Sequence, residues 1–117
     1  MQTWHPSSVR GLVSARLDSL TDAERGVLED ASVLGRRGNV KALLRMVAST
    51  RPDLDLLDTM RTLRDKDLLH VDREEWSFRS DLVREVAYSR LTKTDRARRH
   101  AGIADFLVQH GEGALVV

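Results

Sequence analysis

The sequence predicts a mainly α-helical fold with one short β-hairpin, and three observations carry that reading. Apolar residues recur at intervals of three and four along most of the chain, the spacing that gives a helix one buried face. Between Leu68 and Arg79 the interval drops to two, the period of a strand. The 117 residues are 41% hydrophobic, 32% charged and only 4% aromatic. That is enough for one modest core under a solvated surface, with too few rings for an aromatic-rich β-sandwich.

The first helix is expected over about Ser8–Leu20. Pro6 and the serines mark its start, and Val9, Leu12, Val13, Leu17 and Leu20 fall at helical spacing. Thr21-Asp22-Ala23-Glu24 is a capping box, in which hydroxyl and carboxylate each accept from the other residue's amide. The helix it opens, about 22–35, turns Ala23, Val27, Leu28, Ala31 and Leu34 inward. Gly35 suits a left-handed cap at its end, and Arg36-Arg37-Gly38 reads as a turn. Asn39 caps a third helix, about 39–48, with Val40, Leu43, Leu44 and Val47 on one face. Ser49-Thr50-Arg51-Pro52 breaks it.

Asp53 is expected to cap a fourth helix, about 54–67, striped by Leu56, Leu57, Met60 and Leu63. The hairpin follows over about 68–79. Leu69 and Val71 alternate with His70 and Asp72, Arg73-Glu74-Glu75 turns the chain, and Trp76 and Phe78 alternate with Ser77 and Arg79. Ser80 caps a fifth helix that holds Val83, Val86, Ala87 and Leu91. Thr94 caps a sixth, with Ala97, Ala101, Ala104, Leu107 and Val108 inward. Gly111-Glu112-Gly113 ends it, and Ala114 to Val117 reads as the stub of a cut chain.

Three helices followed by a two-stranded wing is the order of a winged helix-turn-helix, here with flanking helices. The expected organisation is a tail over 1–7, a winged-helix domain over 8–91, the start of a helical bundle over 92–110 and a truncated tail over 111–117.

Little in the sequence points to catalysis. With no cysteine there is no disulfide, thiolate nucleophile or Cys-ligated metal. His5, His70, His100 and His110 have no metal-ligand spacing, and no phosphate-binding GxxxxGK[ST], GxGxxG or GxSxG occurs. No activity, metal or bound cofactor is expected of this chain. No apolar run approaches the roughly 18 residues that cross a bilayer, and the N-terminus is not a signal peptide. A cytoplasmic location without a membrane partner is expected.

A net charge of +1 gives no general attraction to polyanions. The helix that would enter a DNA groove opens with Asp53, Asp55 and Asp58, which phosphates would repel, so specific DNA is an unlikely partner. Basic residues gather later, in Arg84, Arg90, Lys93, Arg96, Arg98 and Arg99 against Glu85 and Asp95. They read as a solvated helical face, as an interdomain contact or, least favoured, as a nucleic-acid contact. Trp76 either packs the hairpin on the fifth helix or anchors a neighbouring domain. Trp4 is either a staple or an edge.

Two stretches carry a resemblance. Residues 8–35, SVRGLVSARLDSLTDAERGVLEDASVLG, and residues 76–109, WSFRSDLVREVAYSRLTKTDRARRHAGIADFLVQ, resemble the region after the ATPase core of bacterial STAND signal-transduction ATPases. The likeness is nearest to those fused to class III adenylate or guanylate cyclases or to LuxR-type regulators. It implies a winged-helix regulatory domain that folds back on the nucleotide-binding module, holds the ADP-bound state and swings away on activation. The parent would bind ATP or ADP. The partners would be the preceding nucleotide-binding domain and the following helical repeat domain of the same chain.

Relatives usually read Phe-Arg-His where this chain has Phe78-Arg79-Ser80, followed by Asp81. The corresponding histidine in plant and animal members contacts the ADP phosphate. Here Ser80 is either a plain cap or a neutral nucleotide contact. Arg79 either supplies charge to a phosphate or is an exposed strand-end residue.

Overall fold

The structure, a computed structural model, describes the backbone of residues 6–110 and the side chains of 9–103. The expected roles of Trp4, Ala104, Leu107, Val108 and residues 111–117 fall outside it. The described elements are α1 (Pro6–Asp18), α2 (Asp22–Leu34), β1 (Arg37–Asn39), α3 (Val40–Ala48), α4 (Leu56–Asp65), β2 (Leu69–Asp72), β3 (Glu75–Phe78), α5 (Asp81–Ser89) and α6 (Lys93–His110). The fold is thus mainly helical with a small antiparallel sheet, as expected, but the sheet has three strands rather than two.

The additional strand is the segment read as a turn. Arg37, Gly38 and Asn39 pair with Ser77, Trp76 and Glu75, while Leu69 to Asp72 pair with Phe78 to Glu75 on the other side. The sheet order is therefore β1-β3-β2. Arg-Gly-Asn has no strand-favouring alternation of its own. Its conformation comes from pairing with the open edge of β3. Gly38 is needed for a close approach: a Cβ there would lie 3.0 Å from the Trp76 ring. Trp76 also meets the edge of Phe78, with centroids 5.7 Å apart. It is 1% exposed, which makes it a core residue rather than an anchor for a neighbouring domain.

The Thr21 capping box forms as expected: Glu24 N–H donates to Thr21 Oγ1 at 3.1 Å, and Thr21 N–H to Glu24 Oε1 at 3.0 Å. The Thr21 amide holds the Glu24 carboxyl below its ordinary range, with the Lys66 ammonium adding to the effect and burial opposing it. Gly35 has φ 141° and ψ −158°, a glycine conformation but not the left-handed helical one expected. Asn39 caps α3 by accepting from the Lys41 amide at 2.7 Å.

The cap of α4 is Asp55, not Asp53: Asp55 Oδ1 accepts from the Asp58 amide at 3.1 Å. Pro52 and Asp53 are in a turn instead. At its other end, Leu68 N–H donates to Leu63 O and Asp67 N–H to Arg64 O, with Asp67 left-handed at φ 60°. That is the Schellman arrangement, closed by contact between two buried leucines.

One core joins these elements, from Leu17 and Leu20 through Val27, Leu28, Leu43, Met60, Leu63 and Leu69 to Val83 and Val86. Three leucines placed inward by spacing are exposed: Leu12 at 67%, Leu44 at 46% and Leu57 at 60%. Each sits at the edge of its helix's apolar stripe, where spacing alone cannot tell core from rim. α6 departs further. Its cap is Thr92, not Thr94, since Thr92 Oγ1 accepts from the Asp95 amide at 3.0 Å and Asp95 Oδ2 from the Thr92 amide at 3.4 Å. The Thr92 hydroxyl and amide hold the Asp95 carboxyl below its ordinary range. Ala97 and Ala101 face solvent, and α6 leans on α2 and α3 through larger side chains.

Candidate functional site

The N-terminus of α5 collects the residues singled out for nucleotide sensing. Ser80 is extended at φ −151° and its Oγ accepts from the Val83 amide at 3.3 Å, so it is the N-cap. The Asp81 and Leu82 amides, ahead of the first intrahelical bond, have no acceptor among the described residues. Arg79 N–H donates to Leu68 O, closing the β2 end of the sheet. The Arg79 guanidinium extends into solvent and places Nη1 3.3 Å from His70 Nε2. A guanidinium only donates, so the imidazole accepts. Asp81 Oδ1 pairs with Arg36 Nε at 3.5 Å, and both side chains are exposed.

Across the exposed sheet face, Arg37, Ser77 and His70 form one row, and Asn39, Glu75 and Asp72 form the next. The α5 terminus therefore has two amides without an acceptor among the described residues, the Arg79 charge and, across the sheet, Arg37. This can receive an anion, although the Asp81 carboxylate stands beside it and is paired with Arg36. Arg36, Arg37 and His70 join the expected trio only because β1 and β2 flank β3. The pairing of β1 was not visible in the sequence.

The basic segment behaves differently from either expectation. Arg84 Nε donates to Ser32 O at 3.1 Å, which ties α5 to α2. Arg90 donates to Ser14 O at 2.7 Å, Ser14 Oγ at 2.8 Å and Asp18 Oδ1 at 2.7 Å, which ties α5 to α1. Arg96 lies over the Tyr88 ring, 4.5 Å from its centroid, and donates to Tyr88 O. Arg99 Nε donates to Asp30 Oδ1 at 2.7 Å, with Glu29 Oε1 3.6 Å from its Nη2. These four arginines are half-buried struts within the fold. Arg98, paired with Asp95, and Lys93 stay exposed.

Asp30 was missed by sequence reasoning. Its side chain is 6% exposed, and burial pushes its carboxyl above the ordinary range against the Arg99 hydrogen bond and the charges of Arg99 and Arg51. Burial raises Glu29 as well, with Arg99 and Arg25 opposing. Position 30 lies three residues after Val27 and four before Leu34, on the inward face, and that was the available signal.

Among the described residues, no group of three metal-ligating side chains converges, and no helix is long and apolar enough to cross a membrane. In comparisons with known proteins, the chain matches no family model, no curated protein and no solved structure.

Proposed function

We propose that this chain is a winged helix-turn-helix regulatory domain of a multidomain STAND-type ATPase. It packs on the nucleotide-binding module and relays the ADP or ATP state to output or sensor domains. The observation that carries the reading is topological. The order α2-β1-α3-α4-β2-β3, with β3 between β1 and β2, is compatible with a winged helix-turn-helix and supports that reading. β3 then delivers the chain to the α5 N-terminus, where Arg79 is exposed and the Asp81 and Leu82 amides have no acceptor among the described residues. A terminus of this kind favours an anion such as a nucleotide phosphate. The DNA-binding alternative is disfavoured by the first turn of α4, where the exposed Asp55 and Asp58 occupy the positions that approach phosphates.

The test uses the parent protein and reads ADP dissociation. Ser80→His adds a donor at the helix terminus and is expected to slow dissociation by about tenfold, while Arg79→Ala speeds it by a similar factor. Unchanged rates for both variants, with the fold intact, would mean that this terminus does not face the nucleotide. A GxxxxGK[ST] loop in the parent sequence ahead of this segment is also required.

A further inference from the structure

A cleft of about 490 Å³ lies between α2, the residues that follow α3 and the start of α6. Three guanidinium-bearing residues from two separate stretches line it: Arg51, Arg98 and Arg99. Their situations differ. Arg99 is committed to Asp30 and Glu29. Arg98 gives Nη2 to Asp95 at 3.0 Å and keeps its other donors for solvent. Arg51 has no hydrogen-bond acceptor for its side chain among the described residues, although Asp30 is near enough for its charge to be felt. A guanidinium with all five donors open, beside a carboxylate already bonded to another arginine, is a vacant half of a fork-shaped ion pair.

The seat of Arg51 is built into α2. A Cβ at Gly26 would fall 2.4 Å from Cζ, Nη1 and Nη2 of Arg51. The planar group therefore lies flat on helix backbone that only glycine leaves bare. Asp30, one turn further along α2, also lines the cleft, with its carboxylate bonded to Arg99. The hydroxyls of Ser49 and Thr50 donate to Met46 O and Val47 O, so the donors left for an anion are those of the arginines. Met46 and Gly102 supply an uncharged wall.

We propose that this cleft binds a small organic oxyanion, a phosphate monoester or a carboxylate. Arg51 and Arg98 receive its charged head, and its apolar body lies over Met46 and Gly102. Such a ligand would span α6 and the segment after α3, and so would couple the position of α6 to its concentration. The inference shares no residue with the α5 terminus and stands apart from the nucleotide reading.

The test is an NMR titration of the 117-residue chain with phenyl phosphate, benzoate and, as the uncharged control, phenol. Saturable shifts are expected at residues 49–51 and 98–102 with the two anions and not with phenol. Whichever anion binds more tightly identifies the head group. Arg51→Met is expected to weaken binding by about tenfold or more, as loss of a charge-assisted fork does. Arg61→Met, on an exposed part of α4, should not. Gly26→Ala covers the case in which Arg51→Met disturbs folding. It keeps every charge and favours helix, yet displaces the Arg51 tip from its seat, and it should weaken binding in the same way. The proposal is overturned by shifts that do not saturate, by phenol matching the anions, or by undiminished binding in a folded Gly26→Ala.

Discussion

Asp30 puts a carboxylate inside a helical interface, and Arg99 and Glu29 complete a three-charge cluster that joins α2 to α6. Burial raises both carboxyls above their ordinary range, so the folded chain takes up protons before the unfolded chain does. Their contribution to stability is therefore greatest below the unfolded carboxylate values of about 4 and falls as pH rises through the raised ones. Arg99→Met leaves both anions without this partner and is expected to cost about 3 kcal/mol in urea denaturation at pH 7. The deficit should shrink as pH is lowered toward about 4, because protonation removes the unpaired charge. A deficit that grows in acid would show that Arg99 does not serve these carboxylates. The run from Arg84 to Arg99 announced its charge in the sequence but not its direction. An arginine's long stem lets the charge reach across an interface, and its partners Ser14, Asp18, Ser32 and Asp30 are 52 to 76 residues away.

At the scale of single elements, part of the local chemistry was legible because the partners lie within four residues, though the cap of α6 at Thr92 was not. The capping box of α2 and the serine cap of α5 were read correctly because hydroxyl, amide and carboxylate are all close in sequence. The start of α4 was not, since Asp53 and Asp55 are both good caps and Pro52 permits a start near either one. The turn that follows α3 settles it, with Leu54 N–H returning to Arg51 O at 3.2 Å. Asp55→Ala is accordingly expected to cost about 1 kcal/mol, and Asp53→Ala less than about half of that. Thermal unfolding of the two variants decides between the positions, and equal losses would contradict the structure. β1 was illegible for the opposite reason. A three-residue strand takes its conformation from a partner 36 to 40 residues later, and nothing local in Arg37-Gly38-Asn39 asks for it.

At the scale of the whole molecule, α1 is attached chiefly to one element, α5. It packs on α5, buries Leu17, and leaves Leu12 in solvent. The three Arg90 hydrogen bonds are its main polar tie to α5. Arg90→Met should therefore loosen α1 selectively. Amide exchange in residues 9–18 is expected to accelerate by about tenfold while Leu28 and Leu63 keep their protection, the pattern of local rather than global opening. Uniform acceleration would mean that α1 and the core open together. The placement of β3 has a consequence in time as well as in space. It is the middle strand of the sheet but the last of the three to be synthesised. A nascent chain exposed only as far as Glu74 has α2, α3 and α4 but lacks Trp76 to cover Gly38 and Phe78 to pair with Leu69. Until Glu75–Phe78 leave the ribosome, both flanking strands present open edges, and cooperative folding must wait for them.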